Sequence, residues 1–236
     1  KEFDLKKEFQ LKAGFLVCCI PTAILQASST KNDIILCSFI LLFYYYQIRL
    51  AKSQNFKYLI LSGLALGLGG LTKTTAFLFL FPIGFTFFLF SFIKSPQYLR
   101  SKIFFQAILV IIIGFTVNLP HFLRTKLAFG NFLGMHGEVQ SQVLNNQFSL
   151  FTIFSNFIRH VAYQLGSNID LANWYIYRLV QIPLGQHLSD PDTSYLGLTF
   201  RPPRKIIHED HAGNPMHILL ILLVLIIGTF FFKKIK

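Results

Sequence analysis

The sequence predicts an all-α protein: a polytopic transmembrane helical bundle of about six spans, with a long outer-face segment containing amphipathic helices. Three observations carry this. Hydrophobic residues make up 53% of the 236, with 28 Phe, and charged residues only 14%, against about 25% charged in a soluble domain. Six apolar runs approach the roughly 20 residues that a helix needs to cross a bilayer. The basic residues, which give a net charge of +12, sit largely at the ends of those runs. Nucleic-acid binders instead gather their basic residues on a polar surface, so the expected partner is membrane lipid and not nucleic acid.

The runs cover about 13–28, 33–50, 57–72, 74–93, 103–120 and 216–232. The third contains Gly63, Gly67, Gly69 and Gly70. Its Gly-x-x-x-Gly step predicts a helix packed closely inside the bundle. Cys18, Cys19 and Cys37 all fall inside apolar runs and read as small packing residues. The opening "KEFDLKKEFQLK" reads as the interior of a longer protein.

Orientation follows from the basic residues between runs. Lys1, Lys6, Lys7 and Lys12 precede the first, and Arg49, Lys52 and Lys57 surround the second turn. Lys94, Arg100 and Lys102 lie in "KSPQYLRSK", and Lys233, Lys234 and Lys236 follow the last run. With six spans all four groups share one side, which the positive-inside rule makes cytoplasmic. Both termini of the chain are then cytoplasmic. The polar loops "SSTKND" and "LTKTT" fall on the outer face together with the segment 121–215. The expected division is a five-span bundle over 1–120, an extracytoplasmic segment over 121–215, and a last span with a basic tail over 216–236.

Within the outer segment, Phe151, Phe154, Ile158, Val161 and Leu165 recur at steps of three and four, which marks one apolar face of a helix over 148–165. A second helix is expected over 171–188, interrupted near Pro183. Both suit a place along the membrane surface or a place capping the bundle. Asp190-Pro191-Asp192 reads first as a turn.

Candidate chemistry concentrates at the outer loops. Asp33 is the only acid within or bordering the first five spans. An ionisable group there faces a wet cavity or a partner, or it serves as a helix cap or first-turn acid. Lys73 stands among Thr72, Thr74 and Thr75, a set that suits a phosphate or a lysine snorkelling at a span end. His208, Glu209, Asp210 and His211 offer four metal ligands in a row. Neighbours on an extended chain point opposite ways, so a solvated or acceptor-facing loop is favoured over a divalent metal. No cofactor is otherwise implied.

Together, "IPTAILQASSTKNDIILCSFILL" and "LSGLALGLGGLTKTTAFLFLFPIG" resemble the polytopic glycosyltransferases of family 39, the dolichyl-phosphate-mannose protein mannosyltransferases and their bacterial relatives. The tail "HEDHAGNPMHILLIL", preceded by "SDPDTSY", is similar to a bacterial branch of that family. The resemblance implies a C-type glycosyltransferase fold in a bacterial inner membrane. It implies inverting transfer of a hexosyl or pentosyl group from a polyprenyl-phosphate sugar to an acceptor hydroxyl. It also makes Asp33 the acid that orders the site, and Lys73, with Thr72 and Thr74, the contact for the donor phosphate. Arg124, Arg159 and Arg204 are further candidates for that phosphate. Asp190, Asp192, His208, Glu209 and Asp210 become candidates on the acceptor side. The family's main catalytic acid belongs to a loop expected ahead of Lys1, so the chain reads as a fragment. The competing expectation is an inactive truncated homologue acting as a scaffold or transporter component.

Overall fold

The computed structural model describes residues 6–29, 31–132, 134, 147, 149–190, 193, 199–203 and 212–231. Among these the regular structure is helical: α1 (Lys7–Cys18), α2 (Pro21–Ala27), α3 (Asp33–Ser53), α4 (Phe56–Thr72), α5 (Ala76–Lys94), α6 (Gln97–Phe129), α7 (Leu150–Leu165), α8 (Asp170–Leu184), a short 3-10 turn (Gly185–Ser189) and α9 (Pro215–Phe231). The chain divides into two compact units, one from residues 1–10 and 30–135, the other from 11–29 and 136–236.

Among the described residues three helices, α3, α5 and α6, are long and apolar enough to cross a membrane. The sequence suggests about six spans, and the other three runs take different forms. The first is broken by a 69° bend between α1 and α2, where Pro21 opens the second helix. Proline is tolerated in a first helical turn because it has no N–H to leave unpaired. The third and sixth runs form the shorter apolar helices α4 and α9, each of 17 residues. The fifth run continues beyond residue 120. With 33 residues, α6 is about 50 Å long at 1.5 Å per residue. It passes through Pro120 and stops at Gly130, whose φ of 75° supplies the left-handed cap.

The first unit packs α3 to α6. Its core contains Leu36, Phe43, Leu59, Leu66, Leu80 and Val110. Helix α4 lies against α6 at van der Waals limits. A Cβ on Gly63 would meet Ile113 Cβ at 2.6 Å, and one on Gly67 would meet Val117 Cβ at 2.7 Å. Gly114 of α6 returns the arrangement by receiving Leu66. The Gly-x-x-x-Gly step is therefore the packing face that its spacing predicts. Asn118 lies in the same seam, fully buried, and its amide donates to Gly67 O at 2.8 Å and Gly114 O at 2.9 Å.

In the second unit α7 packs on α8 around Ala162, Val180, Leu184 and Leu188. Asn214, just ahead of α9, ties three segments together. Its Oδ1 accepts from Thr22 Oγ1 at 2.7 Å and Thr22 N at 3.2 Å. Its own backbone N donates to Gln164 O at 2.7 Å. The neighbouring Gly213 lies so close to the Gly166 backbone that no side chain would fit, which explains "GNP" at this joint.

Candidate functional site

Hydrogen bonds fix the direction of the helices in the first unit. Gln47 bonds Ser62, and Arg49 bonds Tyr58, so α3 and α4 run antiparallel. The start of α3 therefore lies beside the end of α4. Two consecutive residues of one loop hold two consecutive residues of the other. Asn32 Nδ2 donates to Thr72 O at 2.6 Å, and Lys73 Nζ bonds Asp33 Oδ1 at 2.6 Å.

Each charge also stands where its helix favours it. Asp33 is the first residue of α3 and Lys73 is the C-cap of α4, so the acid is at a positive end and the base at a negative end. The open alternative for Asp33 resolves in part: Asn32, with no side-chain capping bond, occupies the N-cap, and Asp33 is a first-turn acid. Solvent still reaches the pair, with 41% of the Lys73 side chain and 26% of the Asp33 side chain exposed. At that exposure the ion pair contributes about 0–1 kcal/mol to stability. The pair holds an ammonium group at a bundle end.

The surrounding donors are less open than the sequence suggests. Thr72 Oγ1 donates to Leu68 O at 2.8 Å, so it would have to rotate to serve a phosphate. The first N–H groups of α5 turn back on the carbonyls of Lys73, Thr74 and Thr75. That leaves the Lys73 ammonium as the principal cationic donor of the turn, with the Thr74 hydroxyl beside it in sequence. Arg124 is exposed near the C-terminal end of α6. Since α4 and α6 run parallel through the Gly67–Asn118 seam, this is the same end of the unit as Lys73.

The other candidates lie elsewhere. Arg159 belongs to the second unit, where it is 8% exposed and bonds Asn156 Oδ1 at 2.7 Å and Thr193 Oγ1 at 2.8 Å. Burial pulls its guanidinium below the ordinary value, and the charge of Asp190 acts against that shift. Asp190 is also in the second unit, with an oxygen 3.4 Å from His187 Nδ1. Asp192, Arg204, His208, Glu209 and Asp210 lie outside the described residues. A cavity of about 660 Å³ opens between α3, α5 and α6, lined by Phe43, Gln47, Phe85, Phe88, Phe104 and Ala107, and it includes neither Asp33 nor Lys73.

Asn32 and Asn118 are the residues that sequence reasoning misses. The signal for Asn118 is a lone amide in an otherwise apolar run, "VIIIGFTVNLP", because a polar group at such a position needs a partner. Asn32 carries no signal beyond its place beside Asp33.

The sequence model for dolichyl-phosphate-mannose-protein mannosyltransferases matches residues 4–121, half of the chain. The chain belongs to that family. The matched stretch contains Asn32, Asp33, Thr72 and Lys73, and so both loops that meet at the ion pair. Searches of curated proteins and of solved structures give no significant match. Family membership and the apolar helices together make this a membrane glycosyltransferase-family chain.

Proposed function

We propose that the chain acts in transferring a sugar, with inversion, from a polyprenyl-phosphate donor to an acceptor hydroxyl on the extracytoplasmic face of a bacterial inner membrane. The observation that carries this reading is the Lys73 ammonium, held by Asp33 at the end of an apolar bundle within the family-matched region. A lipid donor reaches such a place with its chain in hydrocarbon and its phosphate at the surface. In the reaction the acceptor oxygen bonds the anomeric carbon from the face opposite the phosphate and gives its proton to a general base. The anomeric carbon–oxygen bond to phosphate breaks, and its electron pair leaves with the polyprenyl phosphate. A cation prepositioned at that oxygen stabilises the developing charge. Asp33 is then a positioning residue that keeps Lys73 aimed at the surface until the phosphate replaces it as partner.

The orientation has its own support. Arg49 and Lys52 near the end of α3, Lys57 at the start of α4, Lys94 at the end of α5, and Arg100 and Lys102 at the start of α6 all mark the end of the unit opposite Lys73. The positive-inside rule favours a cytoplasmic place for that end, which supports an outer-face position for Asp33 and Lys73.

Lys73→Ala should leave expression intact and weaken donor binding by about 10–100-fold, the equivalent of one charge-assisted hydrogen bond. Unchanged binding of a polyprenyl-phosphate sugar would remove Lys73 from the site. For topology, Ser29→Cys in a background without the native cysteines should react with an impermeant thiol reagent from outside. Labelling only from the cytoplasmic side would invert the orientation.

A further inference from the structure

Beside their small apolar core of Ala162, Val180 and Leu184, helices α7 and α8 bury polar side chains and expose large apolar ones. On α7 the inward stripe is Thr152, Ser155, Arg159 and Ala162, while Phe151, Phe154 and Phe157 face outward. Asn173 is buried on α8, bonded to Ser167 O at 2.6 Å. Trp174, Leu179 and Ile182 of that helix are exposed. An arrangement of this kind is unfavourable in water, where each outward aromatic would leave apolar surface hydrated.

What covers this face is indicated by the rest of the same unit. Asn214 fastens the C-terminal end of α7 to the start of α9. Helix α9 exposes apolar side chains continuously from Leu219 to Ile227, so its natural surroundings are hydrocarbon. At 16 and 15 residues, α7 and α8 extend only about 22–24 Å, short of a bilayer core of about 30 Å. Trp174 and Tyr175 form an edge-on pair, with the Arg178 guanidinium 5.4 Å from the Trp174 ring. Such amphipathic rings beside a cation suit the headgroup level.

We infer that α7 and α8 form an interfacial hairpin that embeds its Phe- and Trp-bearing face in the lipid bilayer. The attraction is apolar rather than electrostatic. From 149 to 190 the charged residues are Arg159 and Arg178 against Asp170 and Asp190, so the formal charges cancel with His neutral. The inference rests on the second unit alone and stands apart from the proposed transfer reaction.

Trp174 is the only tryptophan of the chain, which makes it a native depth probe. The experiment places the full chain in phosphatidylcholine vesicles containing brominated lipids and measures Trp174 emission. An interfacial hairpin, about 5–10 Å deep, gives blue-shifted emission quenched most by bromines near the headgroup end of the acyl chain. That quenching stays unchanged in high salt or when phosphatidylglycerol replaces part of the phosphatidylcholine. Placing charge in the outward face with Leu179→Asp and Ile182→Asp should shift the emission to the red and weaken the quenching. Three results would overturn the inference: quenching by aqueous acrylamide without quenching by bromolipid, blue-shifted emission that no bromolipid quenches, or strongest quenching from chain-terminal bromines. The first means water, the second a protein cover or a second copy, and the third a true span.

Discussion

The two units treat polar residues in opposite ways. The first confines charge to the two ends of its bundle, with the Asp33–Lys73 pair at one of them, and brings its helices together at Gly63, Gly67 and Gly114. The second joins segments through polar side chains, with Asn214, Gln164 and Thr22 at one joint and Arg159, Asn156 and Thr193 at another. Close glycine contacts reinforce the apolar core of the first unit, and polar joints add to the smaller apolar core of the second. In the first unit the ammonium of Lys73 is held at a bundle end, and in the second buried polar side chains on α7 stand beside the apolar cluster of Ala162, Val180, Leu184 and Leu188.

The largest expected effect tests the glycine seam. Gly67→Val puts a branched side chain into Val117 and should cost at least about 1–3 kcal/mol from overpacking. Thermal unfolding in detergent would show it. Gly14→Ala, with nothing within 4 Å of the new Cβ, should be neutral or stabilising by up to about 1 kcal/mol. Equal losses from both would show that close packing does not distinguish the first unit.

Next comes the polar joint. Asn214→Ala removes its side-chain bonds to Thr22 and Gln164 and should cost about 1–3 kcal/mol, because those partners are left unsatisfied. Proteolysis between α7 and α9 should accelerate with it. Asn118→Leu sharpens the contrast by removing an amide from the glycine seam. Gly67 O and Gly114 O each lose a donor, but the buried Asn118 Oδ1, which has no hydrogen-bond partner, disappears as well. A loss of about 0.6 kcal/mol or less is expected. A loss as large as that of Asn214→Ala would mean that hydrogen bonding holds the first unit too. Asp33→Asn should have the smallest effect on stability, about 0–1 kcal/mol, while donor binding falls more visibly.

Much of this architecture is legible in the sequence, for identifiable reasons. Apolar runs and their basic ends mark the helices, and Gly63 and Gly67 show their spacing openly. Counting bases places Asp33 and Lys73 at one end. It cannot show that they touch, because 40 residues separate them and each loop is unremarkable alone. The run expected over 13–28 passes through Pro21 and the run over 103–120 stops at Pro120, yet Pro21 begins a bent segment and Pro120 lies inside α6. The difference is tertiary: beyond Pro120 the helix continues until Gly130 can cap it. On α7, periodicity identifies an apolar face but not its direction. Phe151 and Phe154 face out while Ile158 packs on the core, and only the burial of Thr152, Ser155 and Arg159 fixes which way the helix turns.

The central claim is that Lys73 receives the phosphate of a lipid-linked sugar. Its most direct test is equilibrium binding of a polyprenyl-phosphate mannose to the chain in nanodiscs, comparing wild type, Lys73→Arg and Lys73→Ala. The account predicts saturable binding to the wild type that polyprenyl phosphate competes away, partial retention in Lys73→Arg, and loss of about tenfold or more in Lys73→Ala. Equal affinity across all three proteins would contradict it.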